Sequence, residues 1–301
     1  MKKLLLAGVA LAAMTSMMGS ANAAYALVMK GPGAGNPFWA AVEKGAKDKG
    51  AELGVEVIVV APPAETDVQA QVTQVEDLIA QKVEGIALAP TDPGALAPVV
   101  DAAKAAGIPV VFVDTLGSNE GVTFIGTNNE VGAALAAKFM CDNLPTGSEV
   151  AILQGVMAHS TAQFRANGAK AGLEGCGLKV VAEQTAEWDR AKGLSVTENI
   201  LAGNPNIKGI FGSNDNMALG AVEALKAAAK TDVMVVGYDA NPDAAAAVLA
   251  GDMAATVAQA PGNMGGFGIQ ALVDLKAGKT IDAVIDTGTV LVTKENAEQY
   301  K

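Results

Sequence analysis

Two aspartates stand at corresponding places in two similar stretches of the sequence. Asp114 directly follows the apolar run 110–113, and Asp239 directly follows the run 233–238, each after a helix-like segment. Ligands of open α/β sheets bind beyond the carboxyl ends of the strands. We therefore expect the two carboxylates to face one cleft, where they could accept hydrogen bonds from hydroxyl groups or act as an acid–base pair.

Large aromatic rings accompany these aspartates. Phe38 and Trp39 follow Asn36 and Pro37 at the start of a predicted helix, and Trp188 lies in a predicted loop of the second half. Sugar rings present apolar C–H faces that stack on aromatic faces. The rings therefore favour a ligand with an apolar face, although a helix start could also bury Phe38 in the core.

Polar side chains of several kinds are available to bind the edge of such a ligand. Carboxylates and amides accept or bridge vicinal hydroxyls, and the planar arginine fork donates to ring and hydroxyl oxygens. Two cations would balance two carboxylates, which favours a neutral ligand over a phosphate or a carboxylate. The candidate polar set consists of Lys30, Asn36, Asp114, Arg165, Asn214, Asp239 and Gln259.

Other chemistries are disfavoured. The glycine-rich segment 31–35 departs from the dinucleotide pattern because Asn36 occupies the last glycine position, and no G-K-[ST] follows. His159 is the one histidine, expected to be solvated or packed, and no metal-ligand cluster is evident. We expect no cofactor, no metal and no catalysis. An exported carbohydrate-active enzyme that uses Asp114 and Asp239 remains an alternative, although nothing distinguishes an acid from a nucleophile.

Short apolar runs alternate with amphipathic segments along most of the chain. This alternation is typical of parallel sheets covered by helices on both faces, and its repetition predicts two doubly wound α/β lobes. The predicted strands are 25–29, 55–60, 85–89, 109–113, 149–154, 179–184, 207–212 and 233–238. The predicted helices are 38–53, 67–81, 95–106, 161–173, 190–202 and 215–229.

The N-terminus has the layout of a secretory signal peptide. Lys2 and Lys3 precede the apolar run 4–14, and Ala21-Asn22-Ala23 supplies an A-x-A cleavage site. We expect export, with the mature chain starting at Ala24 in the periplasm. The remainder is long enough for about two domains.

The overall charge limits the partners. The formal net charge is −11 and no basic cluster occurs, so nucleic acid and anionic lipid are unlikely partners. No later stretch is long and apolar enough to insert into a membrane. The exported context permits a disulfide between Cys141 and Cys176, but the sequence leaves that bond open.

In combination, these motifs resemble the periplasmic sugar-binding proteins of ABC transporters, in the ribose- and D-allose-binding cluster. The resemblance runs across nearly the whole mature chain. Its marks are Asn36-Pro37-Phe38-Trp39, Val113-Asp114, Arg165-Ala166-Asn167-Gly168, Trp188-Asp189-Arg190, Asn214-Asp215-Asn216-Met217-Ala218-Leu219-Gly220, Val235-Val236-Gly237-Tyr238-Asp239 and Ala255-Thr256-Val257-Ala258-Gln259.

The resemblance implies two Rossmann-like lobes joined by a three-segment hinge, the periplasmic binding protein fold. We expect segments 24–127 and 260–286 to form the N-terminal lobe, and 128–259 and 287–301 the C-terminal lobe, with crossings near Thr127, Gln259 and Asp286. It also implies sugar contacts from Asn36, Phe38, Trp39, Asp114, Arg165, Trp188, Asn214, Asp239 and Gln259, and from Lys30 as in the D-allose branch. Asp215 is expected to support the site.

One departure bears on the ligand. Ribose-specific members carry arginine where this chain has Thr115, so the resemblance implies a hexose such as D-allose or D-allulose, or a polyol. The implied partner is the membrane permease of an ABC importer, with the protein acting as a monomer. A receptor for chemotaxis or signalling would bind in the same way. A sugar-sensing repressor of the same fold would carry a helix-turn-helix where this chain has its signal-like N-terminus.

Overall fold

The computed structural model of the protein describes residues 24–301, so the predicted signal peptide lies outside the described residues. The strands are β1 (Ala24–Val28), β2 (Glu56–Val60), β3 (Gly85–Leu88), β4 (Val110–Val113), β5 (Phe124–Gly126), β6 (Glu149–Gln154), β7 (Lys179–Thr185), β8 (Gly209–Gly212), β9 (Met234–Val236), β10 (Thr256–Ala258), β11 (Val284–Asp286) and β12 (Val290–Val292). The helices are α1 (Pro37–Leu53), α2 (Val68–Ala80), α3 (Pro93–Ala105), α4 (Asn129–Asn143), α5 (Ser160–Gly175), α6 (Arg190–Gly203), α7 (Asp215–Ala227), α8 (Pro242–Ala250) and α9 (Pro261–Lys276).

The first lobe is built on a parallel sheet in the order β11-β5-β4-β3-β1-β2. Successive side chains of a strand point to opposite faces. On β1, Leu27 packs towards α1 and α9, whereas Ala26 and Val28 pack towards α2 and α3. Because both faces are covered, the central strands are apolar throughout.

The second lobe repeats this plan on a parallel sheet in the order β7-β6-β8-β9. On β6, Ile152 packs with residues of α4 and α5, and Leu153 packs with residues of α6 and α7. The antiparallel pair β10–β12 adjoins this sheet through bridges between Val236 and Ala255 and between Asp239 and Ala258. The predicted pair of doubly wound lobes is therefore confirmed.

The chain passes between the lobes more than once. It leaves the first sheet after β5, returns to it through α9 and β11, and ends in the second lobe with β12. The limits of the two lobes stay a prediction.

Helices α1 and α9 lie unusually close together on the first sheet. A Cβ atom on Gly45 of α1 would lie 1.9 Å from the carbonyl oxygen of Gly262, and one on Gly265 of α9 would lie 2.0 Å from that of Val42. Any larger side chain at either glycine would push the helices apart. This packing brings the distant segment α9 into the core of the first lobe.

Cys141 and Cys176 form a disulfide bond that joins α4 to the residue after α5, with 6.1 Å between their Cα atoms. Among residues 24–301, no helix combines the length and the apolar character needed to cross a bilayer.

Candidate ligand-binding site

A cavity lies between the two lobes, with about 320 Å³ of space free of protein atoms, part of which is open to solvent. The structure brings every predicted ligand-binding residue to its wall, namely Lys30, Asn36, Phe38, Trp39, Asp114, Arg165, Trp188, Asn214, Asp239 and Gln259. Two residues that sequence reasoning did not select, Glu65 and Thr161, complete the lining. The wall is thus polar and aromatic, with contributions from both lobes.

The two aspartates point into this cavity from strained turns. Asp114 follows β4 with a φ of 59°, and Asp239 follows β9 with a φ of 120°. Residues other than glycine rarely adopt positive φ, and such strain persists where the surrounding structure fixes it, often at ligand sites. Both carboxylates are buried.

Asp114 is held by a cation and by a hydroxyl group. The Lys30 Nζ lies 3.1 Å from Asp114 Oδ2, and the Thr115 hydroxyl donates to the same oxygen at 2.6 Å. Lys30 also donates to the Thr161 hydroxyl of the second lobe at 3.4 Å. All four side chains are buried, so the first aspartate is fixed in one orientation.

Asp239 belongs to a second network around Arg165. The guanidinium donates to Asn129 Oδ1 and to the Ser213 carbonyl oxygen, both at 2.8 Å, and stacks 3.8 Å from the centre of the Tyr238 ring. Its Nη1 lies 3.5 Å from Asp239 Oδ1. Two of the five N–H donors of the guanidinium are thus bound by the protein, and Arg165 lines the cavity.

Gln259 connects this network to the passage between the lobes. Its Nε2 donates to Asp239 Oδ1 at 2.6 Å, and its Oε1 accepts from the Thr127 hydroxyl at 2.7 Å. Thr127 lies just after β5, where the chain leaves the first sheet. Because of this bond to Thr127, a change in the relative position of the lobes would act directly on the cavity residue Gln259.

Two asparagines mark helix starts at the cavity. Asn36 caps α1 by accepting from the Phe38 N–H at 3.1 Å, and Asn214 caps α7 by accepting from the Met217 N–H at 2.9 Å. Capping satisfies backbone N–H groups that lack partners within the helix. The Asn214 amide also donates to the Trp188 carbonyl oxygen at 3.2 Å, so each asparagine has a fixed orientation.

The aromatic rings are oriented by hydrogen bonds at their indole nitrogens. Trp39 Nε1 donates to Glu65 Oε1 at 2.8 Å, and Trp188 Nε1 donates to His159 Nδ1 at 2.9 Å. Phe38 meets Trp39 edge to face, with 5.1 Å between the ring centres. Trp188 also adopts a positive φ of 64°. Phe38 therefore both packs in the core and lines the cavity.

His159 is a buried residue behind the tryptophan rather than a solvated one. Burial, together with the nearby Lys30 ammonium, lowers the pKa of His159 to about 2. The ring is neutral at any ordinary pH. It is not among the residues that line the cavity.

Glu65 changes the predicted charge balance. It adds a third carboxyl to the two aspartates and two cations, and the loop 61–67 that carries it gave no sequence signal. Burial raises the pKa of Glu65, although the Lys30 ammonium opposes this shift. Burial likewise raises the pKa of Asp239 to about 7 against the effect of Arg165. A raised pKa favours the neutral, protonated form of a carboxyl group, so both shifts reduce the negative charge of the cavity wall.

Asp215 supports the site from behind. It accepts from the Asn241 N–H at 2.7 Å and from the Thr256 hydroxyl at 2.6 Å, and it does not line the cavity. Burial and the neighbouring Asp239 carboxylate raise the pKa of Asp215. Within residues 24–301, no group of three or more His, Cys, Asp or Glu side chains is arranged to hold a metal ion.

Two doubly wound lobes around a polar and aromatic cavity define a two-lobed ligand-binding protein. The chain belongs to the periplasmic binding protein family, because the model of the periplasmic binding protein domain matches residues 26–280. This membership confirms the resemblance seen in the sequence.

Three similar proteins illustrate the relationship. The D-allose-binding periplasmic protein of Escherichia coli is 40% identical over 89% of this chain and 89% of its own length. The ribose import binding protein of Bacillus subtilis is 38% identical over 86% and 84%. A crystal structure of an ABC transporter periplasmic solute binding protein from Actinobacillus succinogenes, with bound D-allose, has a TM-score of 0.86 at 32% identity, covering 92% of this chain and 99% of that one.

Proposed function

We propose that this protein is the substrate-binding component of an ABC importer and captures a neutral monosaccharide between its lobes. One observation carries the proposal: two tryptophans and two ion-paired aspartates, drawn from both lobes, surround a single cavity. Aromatic faces suit the C–H faces of a sugar ring, and the fixed carboxylates and amides suit its hydroxyls.

The charge of the cavity supports a neutral ligand. Lys30 and Arg165 each lie beside an aspartate, Asp114 and Asp239, and Glu65 adds a third carboxyl group. The wall therefore has more carboxyl groups than cations, which disfavours an anionic ligand. A hydroxyl that lacks a partner after closure would cost about 1–3 kcal/mol, which penalises the wrong epimer.

We propose D-allose or D-allulose as the ligand, with a polyol as the second choice. Thr115 is fully buried, and its hydroxyl holds Asp114. An arginine at this position, as in the ribose-specific pattern, would present a different set of donors. The similarity to a D-allose-binding protein and to a ribose import binding protein supports a hexose or a pentose as the ligand.

The proposed mechanism is closure of two rigid lobes, 24–127 with 260–286 and 128–259 with 287–301. A sugar that contacts both walls stabilises the closed arrangement over the open one. The permease would then recognise the closed arrangement. We propose an exported, periplasmic and monomeric protein without catalytic activity.

A thermal-shift screen tests this function. Protein starting at Ala24 is mixed with pentoses, hexoses, ketoses, polyols and amino acids, because a ligand of the folded state alone raises the melting temperature. We expect the largest shift with D-allose or D-allulose, no turnover of the bound sugar, and no shift in an Asp114→Ala variant. A shift by amino acids with none by any sugar or polyol would overturn the proposal.

A further inference from the structure

A hydrogen bond across the cleft joins the lobes beside the cavity. His159 precedes α5 in the second lobe, and its Nε2 lies 3.1 Å from the backbone carbonyl oxygen of Glu65 in the first lobe. The His159 side chain is fully buried. Since the two residues belong to different lobes, this contact exists only while the lobes are together.

The partners of His159 determine its protonation. The Trp188 Nε1–H can only donate, so His159 Nδ1 must accept that bond at 2.9 Å. The Lys30 ammonium, 3.4 Å from Nδ1, requires the same. The proton of the neutral ring therefore resides on Nε2, where it donates to the Glu65 carbonyl oxygen, which can only accept.

We propose that His159 is a positioning residue that couples lobe closure to the orientation of Trp188. Its Nδ1 fixes the Trp188 ring at the cavity wall, and its Nε2–H bonds to Glu65 O when the lobes close. This inference rests on the proposed function, because it assigns to that sugar site a residue that does not touch the sugar. The bond acts on the retention of the ligand after the lobes have closed.

The position of the bond predicts which rate constant depends on it. An open cleft lacks the Glu65–His159 bond, so the first encounter with sugar does not use it. Reopening must break it in a buried environment, where a lost bond is costly. Removing the bond should therefore accelerate sugar dissociation by about 10-fold or more and leave the association rate nearly unchanged.

Stopped-flow binding of D-allose to wild type and two variants tests this. His159→Gln keeps one acceptor and one donor and should restore a substantial part of the slow dissociation. His159→Leu has neither and should dissociate fastest. Circular dichroism and melting without sugar establish that each variant is folded. Equal dissociation rates in wild type and His159→Leu would overturn the proposal, as would an effect confined to association.

A second measurement does not depend on affinity. The chain has one histidine, so ¹⁵N spectra of tag-free protein contain a single imidazole. With saturating D-allose we expect the Nε2–H form alone. A charged ring or the Nδ1–H form in wild type would overturn the proposal. Failure of wild-type protein to bind any sugar would instead overturn the proposed function, and this inference with it.

Discussion

Asp114 and Asp239 approach one cavity from the ends of corresponding strands in the two lobes, each with a positive φ and a cationic partner. Lys30 lies 3.1 Å from Asp114, and Arg165 lies 3.5 Å from Asp239. The duplicated fold thus supplies two half-sites of similar chemistry. A ligand with hydroxyls on opposite edges can bind both at once.

Asp114→Asn should weaken D-allose binding by about 100-fold or more while the protein stays folded. The amide keeps the shape of the carboxylate but leaves the buried Lys30 ammonium without its counter-charge. Isothermal titration calorimetry measures the change. Asp232→Asn, at an exposed ion pair with Lys208, is the matched control and should bind normally. Wild-type affinity in Asp114→Asn would exclude Asp114 from the site.

Thr115→Val should weaken sugar binding by about 3- to 10-fold. Valine fills the same volume but cannot donate to Asp114 Oδ2, so the carboxylate loses one of the bonds that orient it. Thr115→Ser retains the hydroxyl and should bind nearly as wild type. Titration of D-allose into both variants makes the comparison, and equal affinities would contradict this role of the hydroxyl.

Gly155→Ala should impair binding through Trp188. A Cβ atom on Gly155 would lie 2.0 Å from the Trp188 ring, so the ring must leave its place at the cavity. We expect a loss of sugar affinity and altered tryptophan fluorescence. In the control Gly175→Ala, the new methyl group meets nothing within 4 Å, and binding should not change. Normal affinity in Gly155→Ala would show that the position of Trp188 is not required.

Removal of the disulfide should affect stability and not binding. The double variant Cys141→Ser with Cys176→Ser should lose about 2–4 kcal/mol of unfolding free energy, since the bond closes a 35-residue separation. Cys176 lies eleven residues along α5 from Arg165, about 16 Å at the helical rise. Urea unfolding and calorimetry measure the two properties, and a large loss of affinity would contradict the expected separation.

The buried His159 should make stability depend on pH. Its folded pKa of about 2 is below the ordinary 6.5, with Lys30 and Glu65 as the charged side chains that face it. Between these values the unfolded chain binds a proton that the folded protein does not, so stability is present above pH 6.5 and falls as pH falls. The slope approaches about 1.4 kcal/mol per pH unit. Urea unfolding of His159→Gln from pH 7.5 to 4.5 should show a smaller slope, and equal slopes would contradict the buried neutral ring.

Strands that consist of a clear apolar run between turns could be predicted from the sequence. The segment 149–154 was predicted with the bounds of β6 itself, and the aspartates after β4 and β9 were located by the repeat alone. A continuous apolar run between turns is a local signal that survives folding. Asp114 and Asp239, which the repeat places beyond the carboxyl ends of two strands, both line the cavity.

Other elements had no such signal. Strands β5 and β10 have three residues each, too few for a period to be recognised. Helix α4 buries mostly alanine and glycine, so its two faces differ little in polarity. Helix α9 contains glycines that disfavour an isolated helix but permit its contact with α1. Only the tertiary packing explains why these segments are ordered.

Within the site, the roles of Glu65 and His159 could not be predicted from the sequence either. Glu65 lies in a loop after two prolines, and His159 is a lone histidine before a helix. Each gains its role from partners distant in sequence, Trp39 for Glu65 and Trp188 for His159. Residue type and local spacing do not contain that information.

The packing of α9 on α1 has a consequence for the order in which the protein can fold. The core of the first lobe includes Met264, Ile269 and Leu272, and the edge of its sheet is completed by β11 pairing with β5. A nascent chain that ends before α9 must leave the first lobe with an uncovered apolar face, and it also lacks the strand β12 that pairs with β10 in the second lobe. Neither lobe can therefore be completed until α9, β11 and β12 have been synthesised.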